Sequence, residues 1–236
     1  MKTILVAHRG AQQIAPENTL SAFRLAGQGG YKVVECDVQL SSDGELFVIH
    51  DVDVERTTNG SGWVSRLSSS KLKSLKITGN EHIPTLQETV DEVIGRLKLG
   101  LIIEIKADTE THSFLVAHAL GDFVSSLPLR YRHHIEVHSF WYEALKQFKR
   151  QNPGIETAAI INGGFSGEDV VKIARQFNTN GVSLGFEFVS KKVVKQCHKS
   201  GLFVDTWSVS DKTVMRRLRP FGLKAIVENF TGTLIH

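Results

Sequence analysis

The sequence predicts a closed (β/α)8 barrel that carries one extra antiparallel hairpin strand and a small insertion after it. Short apolar runs alternate with amphipathic stretches nearly from end to end, which is typical of parallel strands separated by helices. Eight of the runs fit parallel strands, and 236 residues suit one large domain of this kind. An open doubly wound sheet is the alternative, and the lack of a G-x-G-x-x-G motif after the first strand counts against it.

Strands are expected where short apolar runs are bounded by polar or turn-forming residues. The first, 3–8, ends in His8-Arg9-Gly10, and the second, 32–38, alternates between an apolar face and a charged face. The others are predicted at 45–50, 100–105, 134–138, 156–161, 180–184, 202–207 and 224–227.

Helices are expected where apolar residues recur at helical spacing. The helix at 85–98 has a clear start, because Thr85 can cap it and Glu88 follows three residues later. The predicted helices are 17–29, 85–98, 112–126, 140–151, 167–177, 190–200 and 211–219. Only residues 230–236 follow the last strand, so we expect no eighth helix.

The strand at 45–50 breaks the alternation. The preceding connection is too short for a parallel crossover, and Asp43-Gly44 is a strong hairpin signal, so this strand should run antiparallel to 32–40. A two-residue loop places His50 opposite Asp37, a four-residue turn places it opposite Glu35, and only a bulge moves it off that face. Residues 51–84 form a long connection, which we expect to cap the barrel mouth. The whole chain, 1–236, is predicted to be a single catalytic barrel domain.

Composition excludes several classes of protein. The net charge of +3 is too small to indicate a nucleic-acid partner or a membrane surface. No apolar run reaches the ~18 residues of a membrane span, and the first run stops short of a signal-peptide core. Two cysteines cannot form a disulfide framework. These features predict a cytoplasmic protein with a small-molecule substrate, no nucleic acid and no stable membrane insertion; the oligomeric state is not predicted.

Two carboxylates share one face of the second strand. Glu35 and Asp37 are two residues apart and therefore point the same way, while their neighbours form an apolar face. Glu104 and Lys106 repeat the pattern on the next parallel strand. The carboxyl ends of barrel strands converge on one mouth. We therefore expect these side chains to meet there, together with His8, Arg9 and, from the hairpin, His50.

This cluster predicts a metal site. An internal network of salt bridges is the alternative, but it would set three carboxylates against only one or two cations, and an unpaired buried charge is costly. Side chains two apart on a strand lie about 6.6 Å apart along the chain, near enough to share an ion. Three oxygen ligands and no thiolate favour Mg²⁺ or Ca²⁺ over Zn²⁺.

The remaining polar groups indicate acid–base chemistry on an anion. Two histidines beside a metal can accept and deliver a proton. Arg9 and Lys106, with the metal, suit a phosphate group. Trp207 ends its strand and can pack against a substrate, with a core position as the alternative. The residues alone thus predict metal-assisted transfer chemistry on a phosphorylated substrate.

The residues of the motifs and their order along the chain resemble those of the glycerophosphodiester phosphodiesterase family. The resemblance covers most of the N-terminal half, and it continues more loosely through Ser139-Phe140 and Trp207-Ser208-Val209. The motifs that carry it are His8-Arg9-Gly10, Pro16-Glu17-Asn18-Thr19, Glu35-x-Asp37, His50-Asp51, Arg56-Thr57-Thr58-Asn59-Gly60-x-Gly62 and Glu104-Ile105-Lys106.

The resemblance implies a TIM barrel that hydrolyses glycerophosphodiesters to glycerol 3-phosphate and an alcohol. It implies that His8 and His50 are the general acid/base pair. It implies further that one Mg²⁺ or Ca²⁺ is held by Glu35, Asp37 and Glu104, and that Arg9 and Lys106 contact the phosphate.

The chain departs from the family at a few positions. Glu228-Asn229 stands where the last strand usually ends in Thr-Asp, Ser210 stands where asparagine is common, and His138 replaces a small residue. His138 is expected either to touch substrate or to be a satisfied histidine at the rim. Two other functions remain open: a lysophospholipase D or phospholipase-like phosphodiesterase, and a catalytically silent barrel that only binds phosphorylated ligands.

Overall fold

The computed structural model describes residues 3–229, which form a closed barrel of parallel strands with one antiparallel strand attached. The order around the barrel is β1-β2-β4-β5-β6-β7-β8-β9, and pairing of β9 with β1 closes it. The predicted (β/α)8 barrel with an extra hairpin strand is confirmed. The strands are β1 (Ile4–Ala7), β2 (Val33–Leu40), β3 (Leu46–Val48), β4 (Gly100–Ile105), β5 (Ile135–Ser139), β6 (Glu156–Ile161), β7 (Gly181–Gly185), β8 (Phe203–Val209) and β9 (Ala225–Glu228).

The helices surround the barrel, and most begin at a polar capping residue whose side chain accepts a backbone N–H. They are α1 (Leu20–Gln28), α2 (Ser69–Ser74), α3 (Leu86–Val90), α4 (Glu110–Ser126), α5 (Leu129–Arg132), α6 (Tyr142–Gln151), α7 (Gly167–Gln176), α8 (Lys191–Lys199) and α9 (Lys212–Leu218). The expected absence of an eighth helix concerns residues 230–236, which lie outside the described residues. No helix within residues 3–229 is long and apolar enough to cross a membrane.

The helix predicted at 85–98 changes its winding part-way. Thr85 and Glu88 form the predicted capping box. After α3 the chain continues as a π-helical segment, Asp91–Arg96, in which each N–H reaches one residue further back. Gly95 allows this region to lie close to Tyr131, because a Cβ atom there would lie 3.1 Å from the Tyr131 hydroxyl.

The β2–β3 hairpin has a different loop from either of the two predicted ones. Leu40 pairs with Leu46, and Ser41 N donates to Glu45 O at 2.9 Å, so the loop has an odd number of residues. Gly44 ends it with a φ of +87°, the left-handed conformation that such three-residue hairpin loops require.

This register corrects the predicted position of His50. Ile49, and not His50, lies opposite Asp37, with Ile49 N donating to Asp37 O at 3.0 Å. β3 ends at Val48, and His50 follows at a bend in the chain. His50 therefore reaches the mouth through this bend and not through the alternation of a regular strand.

The strands separate two apolar regions. The outward face of β2, with Val34, Cys36 and Val38, is fully buried against the helices, as predicted from the alternation. Inside the barrel, a small apolar cluster lies beneath the mouth and consists of Val6, Ile102, Ala225 and Val227, with Val33 and Trp207 at its edge. The charged face of β2 points into this interior, where Glu35 is only 4% exposed and Asp37 only 1% exposed.

Candidate active site

Side chains from three neighbouring strands meet at the barrel mouth. β1 is followed by His8 and Arg9, β2 carries Glu35 and Asp37, and the register of β2 with β4 sets Asp37 beside Glu104. The structure thus brings together the residues predicted from these three strands. We call His8, Arg9, Glu35, Asp37, His50, Glu104 and Lys106 the ionic half of the mouth.

Three carboxylates in this half lie close enough to share one cation. Carboxylate oxygens of Glu35, Asp37 and Glu104 lie within 4.8 Å of one another. Glu35 Oε1 is buried and accepts no hydrogen bond from any residue among 3–229. Such an unpaired buried oxygen is unfavourable without a further partner.

Two cations compensate the carboxylates in part. Arg9 Nε lies 3.2 Å from Asp37 Oδ2, and the Arg9 backbone N–H donates to Glu35 Oε2 at 3.0 Å. Lys106 Nζ lies 2.7 Å from Glu104 Oε1 and 3.6 Å from Asp37 Oδ1. Among residues 3–229, two positively charged side chains thus face three carboxylates, and a further cation would compensate the remaining negative charge.

The charge imbalance changes the acidity of these carboxylates in opposite directions. Burial, reinforced by the charges of Asp37 and Glu104, raises the pKa of Glu35 well above its usual value. Burial also raises the pKa of Glu104, although Lys106 opposes the shift. For Asp37, burial is outweighed by Lys106 and Arg9, and its pKa is lowered. A divalent cation would favour the charged form of all three.

Asn18 belongs to the site although sequence reasoning gave it no role. Its Nδ2 donates to Asp37 Oδ2 at 2.9 Å, and its Oδ1 accepts from Asp37 N at 3.3 Å. Asn18 and Arg9 both adopt the left-handed conformation, with φ of 58° and 54°. The signal was the Pro16-Glu17-Asn18-Thr19 motif, but the sequence does not show that the chain folds back onto β2 there.

His8 lies beside the carboxylate cluster. Its Nε2 is 3.9 Å from Glu35 Oε2, and its Nδ1 is 2.7 Å from Asn229 Oδ1. Burial, with the neighbouring Arg9 charge, lowers the pKa of His8 to about 4. The ring is therefore neutral near pH 7.

His50 is the second histidine at the mouth. Its Nδ1 lies 2.7 Å from Asp51 Oδ1, and Arg56 bridges Asp51 to Glu17, which also accepts from Arg9. Burial lowers the pKa of His50, and the nearby Asp37 carboxylate opposes that shift. Asp51 and Arg56 were recognised in the sequence as motif positions, but their contact with Glu17 could not be read from it.

The insertion at 51–84 is attached to the same side of the mouth. It has its own apolar cluster, which includes Val64, Leu72 and Ile83. Beyond the Arg56 contacts, Ser65 Oγ donates to Asp108 Oδ2 at 2.8 Å, in the loop that follows β4. These contacts place the insertion beside the ionic half, and capping of the mouth by this segment stays a prediction.

The opposite side of the mouth is aromatic. Phe140, Phe165 and Phe188 follow β5, β6 and β7, and each is more than a third exposed. Trp207 lies in β8 where the pairing with β9 is irregular; its ring packs edge-on against Phe140 at 5.5 Å, and its Nε1 donates to Ser183 O. We call Phe140, Phe165, Phe188 and Trp207 the aromatic half of the mouth.

The Phe188 ring lies over bare backbone. A Cβ atom at Gly185 would lie 3.2 Å from the Phe188 ring, and one at Gly164 would lie 3.8 Å from it. Gly185 also pairs with Trp207 in the β7–β8 register. The aromatic half is therefore a packed surface and not a set of isolated side chains. It meets the ionic half where Lys106 Nζ lies 5.8 Å from the centre of the Phe140 ring.

His138 is buried and does not lie at the exposed rim of the barrel mouth. It is 3% exposed, and its Nε2 is 2.7 Å from Glu136 Oε1 and 3.7 Å from Asp205 Oδ2. Lys224 Nζ also contacts Glu136, at 2.5 Å. The ligand atoms of Glu136, His138 and Asp205 lie within 4.8 Å of one another, as in the first cluster. Here Lys224 is paired with Glu136, whereas both oxygens of the buried Asp205 accept no hydrogen bond from any residue among 3–229.

Comparison with known proteins agrees with this geometry. The model of the Glycerophosphoryl diester phosphodiesterase family matches residues 8–233. A glycerophosphodiester phosphodiesterase of Caldanaerobacter subterraneus is 30% identical over 100% of this chain and 98% of its own length. An Oleispira antarctica phosphodiesterase, solved in complex with the product sn-glycerol-3-phosphate, is similar with a TM-score of 0.89 and 29% identity, covering 99% of this chain and 95% of that one.

A second solved structure shows the same similarity. The glycerophosphodiester phosphodiesterase of Agrobacterium tumefaciens has a TM-score of 0.76 and 25% identity, over 98% of each chain. The match to the family model spans nearly the whole chain, so the resemblance first seen in the N-terminal motifs extends to the C-terminal half. The chain belongs to the glycerophosphoryl diester phosphodiesterase family.

Proposed function

We propose that this protein hydrolyses glycerophosphodiesters to glycerol 3-phosphate and an alcohol with the help of one divalent cation and two histidines. The observation that carries the proposal is the cluster of three carboxylates, two of them buried, that two cations from residues 3–229 compensate in part, at the mouth of a barrel of this family. The product complex of the Oleispira antarctica phosphodiesterase supports glycerol 3-phosphate as one product.

Glu35, Asp37 and Glu104 would hold the cation. The unpaired Glu35 Oε1 and the excess negative charge support this assignment. All three ligands are carboxylate oxygens, the donor type that Mg²⁺ and Ca²⁺ prefer. When bound, the cation supplies charge stabilisation for the phosphoryl oxygens.

The histidines move the protons. An oxygen nucleophile attacks phosphorus while one histidine accepts its proton, and the bond from phosphorus to the leaving alcohol breaks as the other histidine protonates that oxygen. Arg9 and Lys106 border the cluster and bind the phosphate oxygens. Trp207 packs against the glycerol or the head group, and residues 51–84 cap the mouth.

Removal of the metal tests this proposal. Chelation should abolish release of glycerol 3-phosphate from glycerophosphocholine, and added Mg²⁺ or Ca²⁺ should restore it. Metal content and activity are measured on the same sample before and after chelation. Full activity of a metal-free sample would refute the role of the cation, and binding of glycerol 3-phosphate without turnover of any diester would indicate the silent barrel.

The aromatic half favours a second candidate substrate, a lysophospholipid. Phe165 is 47% exposed and Phe188 is 37% exposed, yet both lie beside a site for a charged phosphate. Exposed apolar surface next to a polar site is typical of sites for amphiphilic ligands. Lysophosphatidylcholine would then place its acyl chain on these rings and release choline.

Two substrates measured side by side separate the candidates. If the aromatic half binds an acyl chain, kcat/KM for monomeric lysophosphatidylcholine should equal or exceed that for glycerophosphocholine. If glycerophosphocholine is turned over and lysophosphatidylcholine is not, the second candidate is wrong and the first stands.

A further inference from the structure

The Nδ1 side of His8 contacts a neutral amide. His8 Nδ1 lies 2.7 Å from Oδ1 of Asn229, the residue that follows β9. Gln12 Nε2 lies 2.6 Å from the same Asn229 oxygen and 2.9 Å from His8 Nδ1. These three side chains form a group whose members come from both ends of the described chain.

Backbone hydrogen bonds hold this group at the seam of the barrel. His8 N donates to Glu228 O at 3.0 Å, and Asn229 N donates to Val209 O at 3.0 Å. The position of Asn229 relative to His8 is therefore set by β1, β8 and β9 together and does not depend on the side-chain contact alone.

The contacts of the Asn229 amide with three neighbours indicate which of its ends faces the histidine. Asn229 Nδ2 donates to Ser210 Oγ at 2.7 Å. Asn229 Oδ1 faces His8 and Gln12 and accepts from Gln12 Nε2, and an amide oxygen can only accept a hydrogen bond. The Asn229 oxygen lies nearer to His8 Nδ1, at 2.7 Å, than the Gln12 amide nitrogen does, at 2.9 Å, so the shorter contact favours a proton on Nδ1 of a neutral His8. Nε2, which then carries no proton, lies 3.9 Å from Glu35 Oε2.

We propose that Asn229 is a positioning residue that holds neutral His8 in the Nδ1–H tautomer, so that His8 enters the reaction as the proton acceptor through Nε2. This inference rests on the proposed function for its catalytic part, whereas the tautomer itself is a property of the folded protein. It extends to the other histidine, because His50 has a carboxylate, Asp51, at the equivalent nitrogen. The two histidines therefore differ in partner: a carboxylate stabilises a protonated ring and a neutral amide does not, so in the proposed two-histidine reaction His50 is the proton donor.

Nitrogen-15 NMR of the histidine rings tests the tautomer directly. At about pH 8, where histidine is neutral, His8 should show a protonated Nδ1 and an unprotonated Nε2, with the signals assigned through a His8→Gln variant. In Asn229→Ala the Nε2–H form should become populated, and Asn229→Asp, which keeps an acceptor oxygen, should restore the Nδ1–H form. A wild-type spectrum with the proton on Nε2 would overturn the proposal without any variant.

Kinetics test the catalytic part. Asn229→Ala should lower kcat for glycerophosphocholine about 10–100-fold, the range found for residues that orient a catalytic or ligating group, with little change in KM, and Asn229→Asp should recover most of it. Asn180→Ala is the matched control, because the Asn180 oxygen also accepts hydrogen bonds from more than one donor, among them Lys149 Nζ and Thr157 N, but far from the mouth. It should leave kcat and the His8 tautomer unchanged.

The outcomes remain distinguishable from failure of the proposed function. A protein without any phosphodiesterase activity but with the Nδ1–H tautomer would refute the function and leave the positioning contact intact. An active enzyme in which Asn229→Ala changes neither the tautomer nor kcat would refute the role of Asn229 alone.

Discussion

The two halves of the barrel mouth are built in different ways. The carboxylates of the ionic half lie on the strands themselves and are largely buried, with Asp37 only 1% exposed. The aromatic half stands mainly on the residues that follow the strands, and Phe165 is 47% exposed. Charged groups that must hold a cation need rigid support from several partners. Rings that contact a variable part of a substrate need only a stable surface.

This difference assigns catalysis to the ionic half and the choice of substrate to the aromatic half. In the ionic half most side chains contact others of the same set, so the loss of one disturbs its neighbours. In the aromatic half Phe140 and Trp207 contact each other, while Phe188 packs on glycines. We therefore expect substitutions in the ionic half to reduce turnover of every substrate, and substitutions in the aromatic half to change only which substrates are used.

The largest expected effect is that of Asp37→Asn. This change removes a charge that Arg9, Lys106 and the proposed cation share, and kcat/KM should fall on the order of 10³-fold for every diester. Steady-state kinetics and metal content are measured together. The control is Asp108→Asn, a carboxylate bonded to Ser65 outside the cluster, which should stay within about twofold of the wild type. Activity of Asp37→Asn within tenfold of the wild type would contradict the expectation that substitutions in the ionic half reduce turnover of every substrate.

His50→Ala should have the next largest effect, and that effect should depend on the leaving group. With glycerophosphocholine, the loss of a proton donor should lower kcat about 10²–10⁴-fold. With a p-nitrophenyl ester of glycerol 3-phosphate the loss should be much smaller, because that leaving group departs without a proton. The matched control is His112→Ala, which removes a buried histidine paired with Asp108 and should lower kcat with neither substrate.

The same pair of substrates should respond differently to His8→Ala. Loss of a proton acceptor slows attack on phosphorus whatever the leaving group, so both substrates should lose similar factors. Equal losses in His50→Ala and His8→Ala with both substrates would contradict the assignment of different roles to the two histidines.

The smallest expected effect is that of Phe188→Ala. It removes one exposed ring from the aromatic half, and kcat/KM for lysophosphatidylcholine should fall about tenfold through lost apolar contact, while the value for glycerophosphocholine should not change. Leu129→Ala is the control, since Leu129 is 66% exposed on α5, away from the mouth. Equal losses of kcat/KM for both substrates in Phe188→Ala would show that the aromatic half does not discriminate between them.

Sequence reasoning predicted the residues of the ionic half better than the residues that hydrogen-bond to them. Alternation along β2 was enough to place Glu35 and Asp37 on one inner face, because a strand allows no other arrangement of residues two apart. The predicted register of the hairpin was wrong. The loop has three residues and ends at Gly44 in the left-handed conformation, so every pairing of β3 with β2 is shifted by one residue from the predicted one. His50 nevertheless lies at the mouth, because the chain bends after β3. No residue pattern in the sequence predicts that bend.

The residues that hydrogen-bond to Asp37 and to His8 were not predicted, for a different reason. Asn18 contacts Asp37 only because its backbone is left-handed, and Asn229 contacts His8 only because β9 closes the barrel against β1. Each contact depends on three-dimensional closure and not on local periodicity. The π-helical winding after α3 was likewise hidden, because apolar residues in it keep nearly the spacing of an ordinary helix.

The closure of the barrel also ties activity to synthesis of the whole domain. The residues that supply the ionic half are complete once the ribosome has passed position 106, yet the amide that orients His8 lies 221 positions after it. Until β9 has left the ribosome, β1 has an unpaired edge and His8 lacks its partner. A nascent or truncated chain can therefore carry every charged residue of the mouth and still be inert, so that a cell would not hydrolyse substrate with unfinished copies of the protein.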